Sequence, residues 1–179
     1  RQPPAIITAA AQGAAANGEM MTSYYREDIT GLPEMGVVAQ RLWRDSGLKP
    51  QDIQTAFIYD HFTPFVFAQL EELGFCGRGE AKDFATVERL SLGGEFPINT
   101  NGGLLSEAYI HGMNGITEGV RQVRGTSHNQ VDNVEHVLVT QLGHKLFESR
   151  QMIEDAMKRD PRIASSEELF EEVYRGQKQ

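Results

Sequence analysis

A strand buried on both faces is the clearest structural prediction from this sequence. The run Ile53–Tyr59 contains three successive apolar residues, Ala56 to Ile58, a pattern typical of a parallel strand that is covered on both sides. Two further apolar runs, Pro4–Ala10 and Val134–Thr140, also predict strands. All three are short, so the sheet that they form needs helices to cover it.

Helical patterns fill the intervals between these strands. Apolar residues at helical spacing predict a helix over Glu34–Ser46, which ends before a glycine, and a second over Thr63–Leu73 that carries a proline in its first turn. A third, longer helix is predicted over Leu104–Val123, interrupted by Gly112 and Gly115. The order β-α-β-α-α-β is typical of a layered α/β fold.

The composition changes after Thr140. Residues 141–179 show no strand pattern and predict two helices, one over Lys145–Arg159 and one that begins at the capping box Ser165–Glu168. We therefore divide the chain into an α/β domain, residues 1–140, and a helical tail, residues 141–179. The tail is expected to be a partner-docking or a fused segment.

The charge and cysteine content exclude several classes of protein. The 25 acidic and 17 basic residues give a formal charge of −8, which disfavours nucleic-acid binding because phosphate contacts need clustered Lys and Arg. No apolar run approaches the roughly 20 residues of a membrane span. Cys76 is the only cysteine, so the chain has no internal disulfide or cysteine-rich zinc site. We expect a cytoplasmic protein without nucleic-acid or membrane partners.

Two segments carry chemistry as well as structure. Phe57–Phe62 lies at the end of a predicted strand and the start of a helix, and strand ends are where α/β sheets usually bind ligands. The second segment, Asn99–Gly103, contains a glycine pair and is followed by Tyr109–Gly115. Glycines at the entry to a helix allow the backbone to approach a ligand closely.

Together these segments resemble the C-terminal half of the thiolase superfamily over about residues 4–140. That family has an Asn-Glu-Ala-Phe motif at a strand end, and later an Asn-x-Asn-Gly-Gly block followed by Gly-His-Pro-x-Gly-x-x-Gly. Here Tyr59 stands in place of the first Asn, Tyr109 in place of the catalytic His, and Gln141 where a second cysteine belongs. Without these groups the resemblance does not imply the Claisen condensation of thiolases.

The run that begins at Tyr59 and the block Leu73–Gly77 are more similar to the thiolase-like lipid-transfer-protein group and its steroid side-chain-cleaving aldolases. This resemblance implies retro-aldol cleavage of a β-hydroxyacyl-CoA steroid side chain. The products would be a ketosteroid and a short acyl-CoA such as propionyl-CoA. It also implies a separate partner protein that combines an OB-fold with a zinc ribbon.

We expect Tyr59 and Tyr109 to be the acid/base pair, because phenols can serve both proton transfers if their surroundings activate one of them. The sequence does not say which is acid and which is base. A substrate-binding role is predicted for five further residues: Asp60, His61, Asn101, Gly102 and Gly103. No metal site and no cofactor are expected beyond the coenzyme A of the thioester substrate.

Other chemistries fit the sequence less well. A Schiff-base aldolase needs a desolvated lysine, whereas the lysines here lie in polar or terminal stretches, and the five histidines show no ligand spacing. Cys76 occupies neither thiolase cysteine position and is expected to behave as a small apolar residue. The alternatives to a lyase are a non-catalytic lipid or acyl-CoA binding module and a structural subunit that supports another active chain.

A thiolase-like subunit has two similar halves, and this chain resembles only the second. It is therefore expected to be a fragment or fusion, a subunit whose other half is a separate chain, or a binding protein derived from the family. A half sheet with one uncovered face exposes apolar surface, which usually marks a partner site. We expect an obligate homo-oligomer or a heteromeric complex, in which residues 141–179 help to cover that surface or dock the partner.

Overall fold

The computed structural model describes residues 4–16, 28–107 and 110–141. Eight elements lie in this part of the chain, of which three are long helices. In order they are α1 Pro33–Ser46, a 3-10 turn Pro50–Asp52, β1 Thr55–Phe57, α2 Thr63–Glu72, α3 Ala81–Phe84, α4 Val87–Leu90, α5 Met113–Val123 and β2 Val137–Val139. The predicted tail helices lie outside the described residues.

The two strands pair in parallel, as the α/β prediction requires. Their register places Thr55 opposite Val137 and Phe57 opposite Val139, and Ala56 makes an isolated parallel bridge to Ile98 on its other side. All three residues of β1 are buried. The predicted central strand is thus confirmed, although it is shorter than the apolar run that contains it.

The predicted strand over Pro4–Ala10 is wrong. Residues 4–10 have no regular structure, and the side chains of Ile6 and Ile7 are 81% and 83% exposed. A strand is stable only when its backbone pairs with a neighbour, and no described residue pairs with this segment in the sheet. An apolar run is therefore not sufficient to predict a strand here.

The first two predicted helices are confirmed as α1 and α2, while the third is only partly right. The segment 104–107 forms turns, and the helix begins at Met113 after Gly112, which has a φ of 81°. This left-handed conformation is accessible to glycine but costly for other residues, so it ends the irregular segment and begins α5. Within the described ranges, no helix combines the length and apolarity that crossing a bilayer requires.

The helix α5 is polar on its inner face and apolar on its outer face. Its buried positions include Asn114, Glu118 and Gln122, whereas Met113 and Ile116 are 53% and 43% exposed. Inner glycines let the helix approach the sheet, because a Cβ added at Gly115 would lie 2.6 Å from Cγ of Phe57. This arrangement leaves apolar outer side chains uncovered by the described residues.

Candidate active site

The backbone of Tyr59 is held at the carboxyl end of β1 by two buried side chains. Its N–H donates to Thr140 Oγ1 at 2.9 Å, and its carbonyl accepts from Gln69 Nε2 at 2.8 Å. The Thr140 hydroxyl in turn donates to Gln69 Oε1 at 2.7 Å. Tyr59 itself is only 4% exposed. The position of this residue is therefore fixed by α2 and by the residue that follows β2.

Replacing Thr140 by valine is expected to loosen this anchor. Thr140→Val keeps the side-chain shape but leaves the Tyr59 N–H and Gln69 Oε1 without their shared partner. Leaving buried polar groups unpaired costs about 1–3 kcal/mol, so the free energy of unfolding should fall by about that amount in urea titrations. Thr140→Ser, which retains the hydroxyl, is the matched control and should lose much less.

The residue before Tyr59 is clamped by Asn99. The side-chain oxygen of Asn99 accepts from the Ile58 N–H at 2.8 Å, and its Nδ2 donates to the Ile58 carbonyl at 2.9 Å. Asn99 has a φ of 50°, an orientation that asparagine tolerates better than most residues. The loop that begins at Asn99 is therefore attached directly to the end of β1.

The same loop also holds the residue after Tyr59. The Leu104 N–H donates to Asp60 Oδ1 at 3.0 Å. Gly103 has a φ of 74°, and a Cβ at this position would collide with the Asp60 carboxylate. The structure thus brings Asp60 together with the Gly102–Gly103 pair, although these residues lie more than 40 positions apart. The substrate-binding role predicted for them stays a prediction.

Asn101 is occupied within its own loop. Its Oδ1 accepts from the Gly103 N–H at 3.2 Å, and its Nδ2 donates to Glu107 at 2.9 Å. These bonds shape the turn around the glycine pair. The substrate-binding role predicted for Asn101 stays a prediction.

His61 packs among aromatic rings next to Tyr59. Its ring centroid lies 4.9 Å from that of Tyr59, and it stacks on Phe65 at 5.2 Å with an interplanar angle of 9°. Phe62 lies 4.8 Å from the same imidazole and is 55% exposed. This packing orients the segment that follows Tyr59. The ring of Phe62 is left partly exposed at the surface beside His61.

Tyr109, the other predicted catalytic residue, lies outside the described residues. The described chain resumes at Ile110, and His111 has a φ of 50° just before the start of α5. Gly112 lies against Gln141, because a Cβ on Gly112 would meet the Gln141 side chain at 2.7 Å. The start of α5 is therefore at the same sheet edge as Thr140, but the pairing of the two tyrosines stays a prediction.

Cys76 is a poor nucleophile in this setting. Burial, followed by the charges of Glu71 and Glu80, raises the pKa of its thiol to about 11. Since thiolate is the reactive form, we expect iodoacetamide at pH 8 to alkylate Cys76 about 100-fold more slowly than an ordinary thiol with pKa near 9. Mass spectrometry measures the rate of alkylation in the native protein, with the urea-unfolded protein as the control. Equal rates in the two samples would contradict the assignment.

The sequence predicted no role for the anchoring residues Asn99, Thr140 and Gln69. Asn99 opens the segment Asn99–Gly103, in which a substrate-binding role was predicted only for Asn101 and the glycine pair. Gln69 is fully buried and is the polar residue in an otherwise apolar turn of α2. A polar residue among apolar neighbours is the sequence signal that could have indicated its structural role. In the described part of the chain, no three His, Cys, Asp or Glu side chains are grouped closely enough to hold a metal ion.

Comparison with known proteins adds independent information. The family model described as "Thiolase C-terminal domain-like" matches residues 13–155. A Mycobacterium tuberculosis protein, "17-hydroxy-3-oxo-4-pregnene-20-carboxyl-CoA lyase", is 64% identical over 140 residues, which are 78% of this chain and 36% of that protein. A "Steroid side-chain-cleaving aldolase" from Thermomonospora curvata is 64% identical over 138 residues, 77% of this chain and 35% of the relative.

A solved structure, "Ltp2-ChsH2(DUF35) aldolase", superposes with a TM-score of 0.75 at 62% identity, covering 79% of this chain and 37% of that one. The chain therefore spans little more than a third of the length of these relatives. A separate 41-residue match, 61% identical, is to the Holliday junction branch migration complex subunit RuvA of Desulfatibacillum aliphaticivorans. It covers 23% of this chain and 20% of that protein.

Proposed function

This chain belongs to the thiolase C-terminal domain-like family, and from that membership we propose that it forms part of a steroid side-chain lyase. The substrate class is a β-hydroxyacyl-CoA thioester whose hydroxyl is on a steroid ring carbon. The observation that carries this proposal is the 64% identity, over 140 residues, to a 17-hydroxy steroid carboxyl-CoA lyase. The fixed placement of Tyr59 at the strand end supports it.

The proposed reaction is a retro-aldol cleavage without a cofactor. A base removes the proton of the tertiary hydroxyl, and that oxygen forms a carbonyl as the bond between the ring carbon and the acyl α-carbon breaks. The electron pair of this bond becomes the thioester enolate, which an acid protonates at carbon. The products are a ketosteroid and a propionyl-CoA-like thioester, so atoms and electrons balance without an oxidant or reductant.

Tyr59 and Tyr109 are the residues to which we assign the two proton transfers. A phenol has an ordinary pKa of about 10, so the one that acts as base must be activated by its surroundings. Tyr59 suits a positioned acid or base because its backbone is fixed on both sides and its side chain is buried. Asp60, His61, Asn101, Gly102 and Gly103 are proposed to form the nearby substrate-binding wall.

We further propose that the active form is a heteromeric complex. The outer face of α5 leaves apolar side chains exposed in the described part of the chain. The related solved structure joins two named components, Ltp2 and ChsH2(DUF35). A partner that combines an OB-fold and a zinc ribbon stays a proposal, as does the cytoplasmic location.

Product analysis tests the proposal. The copurified complex is incubated with a 17-hydroxy steroid acyl-CoA, and the products are identified by mass spectrometry. We expect equimolar ketosteroid and short acyl-CoA. Intact substrate, in the presence of demonstrated thioester binding, would contradict the lyase and favour the non-catalytic binding module. Absence of both binding and cleavage would favour the structural subunit.

A further inference from the structure

A buried carboxylate on the inner face of α5, that of Glu118, is the centre of a polar network that is separate from the hydrogen bonds to the Tyr59 backbone. Glu118 is 5% exposed. Its Oε1 accepts from the hydroxyl of Thr100 at 2.5 Å, from that of Ser127 at 2.6 Å and from Gln122 Nε2 at 2.9 Å. Burying a carboxylate is costly unless hydrogen bonds compensate it, so this network is specific rather than incidental.

The network holds one residue, Thr100, from several directions. Its hydroxyl donates to Glu118 and accepts from Gln122 Nε2 at 2.9 Å. Its carbonyl accepts from Asn129 Nδ2 at 2.6 Å. The hydroxyl and the carbonyl of Thr100 are therefore tied to α5 and to the segment that follows it. A loop residue with so many anchors cannot shift without breaking them.

Thr100 lies in the loop that controls the Tyr59 segment. The preceding residue, Asn99, clamps the backbone of Ile58 through two hydrogen bonds. Four positions after Thr100, the Leu104 N–H holds the Asp60 carboxylate. The loop is thus hydrogen-bonded to Ile58, immediately before Tyr59, and to Asp60, immediately after it. Glu118 holds the intervening loop residue Thr100.

We propose that Glu118 is a positioning residue for Tyr59, acting through Thr100 and the loop 99–104. This inference rests on the proposed lyase function. The side chain is suited to the task because one of its oxygens accepts three hydrogen bonds, from Thr100, Ser127 and Gln122. Glu118 touches no reacting atom in this scheme; it determines where the phenol of Tyr59 stands.

Two hydroxyl donors to the same oxygen provide a matched test. Thr100→Val removes the donor that belongs to the loop, and Ser127→Ala removes the donor that does not. Thr100→Val also loses the hydrogen bond from Gln122 Nε2, so its free energy of unfolding should fall somewhat more than that of Ser127→Ala in urea titrations. Because a misplacement of about 1 Å can cost about 100-fold in rate, only Thr100→Val should lower kcat by about 10–100-fold, with KM changed by less than about twofold. Equal kcat in the two variants would overturn the proposal.

Substitution of the carboxylate itself gives a second arm. Glu118→Gln keeps an acceptor oxygen and should retain most of the wild-type kcat, whereas Glu118→Leu should lose as much as Thr100→Val. Retention of kcat in a folded Glu118→Leu complex would contradict the positioning role. If that variant does not fold, the Thr100 and Ser127 pair still decides the question.

A readout independent of turnover separates this inference from the lyase proposal. With 3-fluorotyrosine incorporated, the fluorine resonance of Tyr59 is assigned by its loss in Tyr59→Phe. It should shift in Thr100→Val and stay in place in Ser127→Ala. An inactive wild-type complex that shows this shift would contradict the lyase and leave the positioning role standing. An unmoved resonance in Thr100→Val would overturn the positioning role, whatever the activity.

Discussion

Tyr59→Phe is expected to lower the rate of steroid side-chain cleavage by about 10²- to 10⁴-fold, the usual contribution of a positioned acid or base. The substitution removes one hydroxyl and keeps the ring that packs 4.9 Å from His61. The backbone bonds to Thr140 and Gln69 do not involve this hydroxyl. The fold should therefore be preserved while proton transfer is lost.

The measurement is kcat of the copurified complex, determined from the rate at which ketosteroid forms. The Kd for the thioester should change by less than about threefold, because the hydroxyl that is removed acts in proton transfer and not in ground-state binding. Tyr174→Phe removes the same atom from a tyrosine in the tail and serves as the control, with wild-type kcat expected. If Tyr59→Phe retained more than half of the wild-type rate, Tyr59 would not be the acid or the base.

Gly115→Ala is expected to destabilise the chain by about 1–3 kcal/mol, as overpacking of a well-filled core typically does. The new methyl group would meet the ring of Phe57, with Cγ only 2.6 Å away. Phe57 is 2% exposed and lies in β1, so its ring is enclosed by its neighbours and cannot turn out into solvent. To relieve the clash, α5 would have to move away from the sheet.

Gly36→Ala in α1 is the matched control. A Cβ at Gly36 would meet only the carboxylate end of the Glu72 side chain, at 2.7 Å, and neither backbone nor an aromatic ring. Alanine favours a helix over glycine by about 1 kcal/mol, so this variant should be as stable as the wild type or more so. Thermal unfolding of both variants gives the comparison, with about 2–4 °C expected for each kcal/mol. Similar melting temperatures for both would contradict the close packing of α5 on Phe57.

The sequence predicted those parts of the fold whose signals are local. The apolar residues at the end of Ile53–Tyr59 indicate burial on both faces without reference to any other segment, and Thr55 to Tyr59 are indeed all buried. The predicted start of the third long helix at Leu104 is wrong. Gly112 does not interrupt this helix, because its positive φ marks the place where α5 begins. Pro4–Ala10 failed since apolar character alone supplies no pairing partner.

For the site, one general rule of topology was available. Ligands usually bind at strand ends in α/β sheets, and this rule singled out the segment after β1, where the structure places Asp60 beside Gly103; the substrate-binding role of these residues stays a prediction. The anchors of Tyr59 followed from no such rule. Thr140 contacts it from 81 positions away, and Glu118 influences it only through Thr100. Contacts of this kind depend on the folded arrangement and leave little trace in a local pattern.

The parallel pairing of β1 with β2 has a consequence for the order in which the molecule is built. Thr55 is synthesised long before its partner Val137, and closing so long a loop carries an entropic cost before any contact repays it. During synthesis Ala56 and Phe57 therefore remain without their partners on β2, Leu138 and Val139, until the ribosome has added that strand. Thr140 follows directly after that strand, so the backbone anchor of Tyr59 is completed only in the last steps of assembling this sheet.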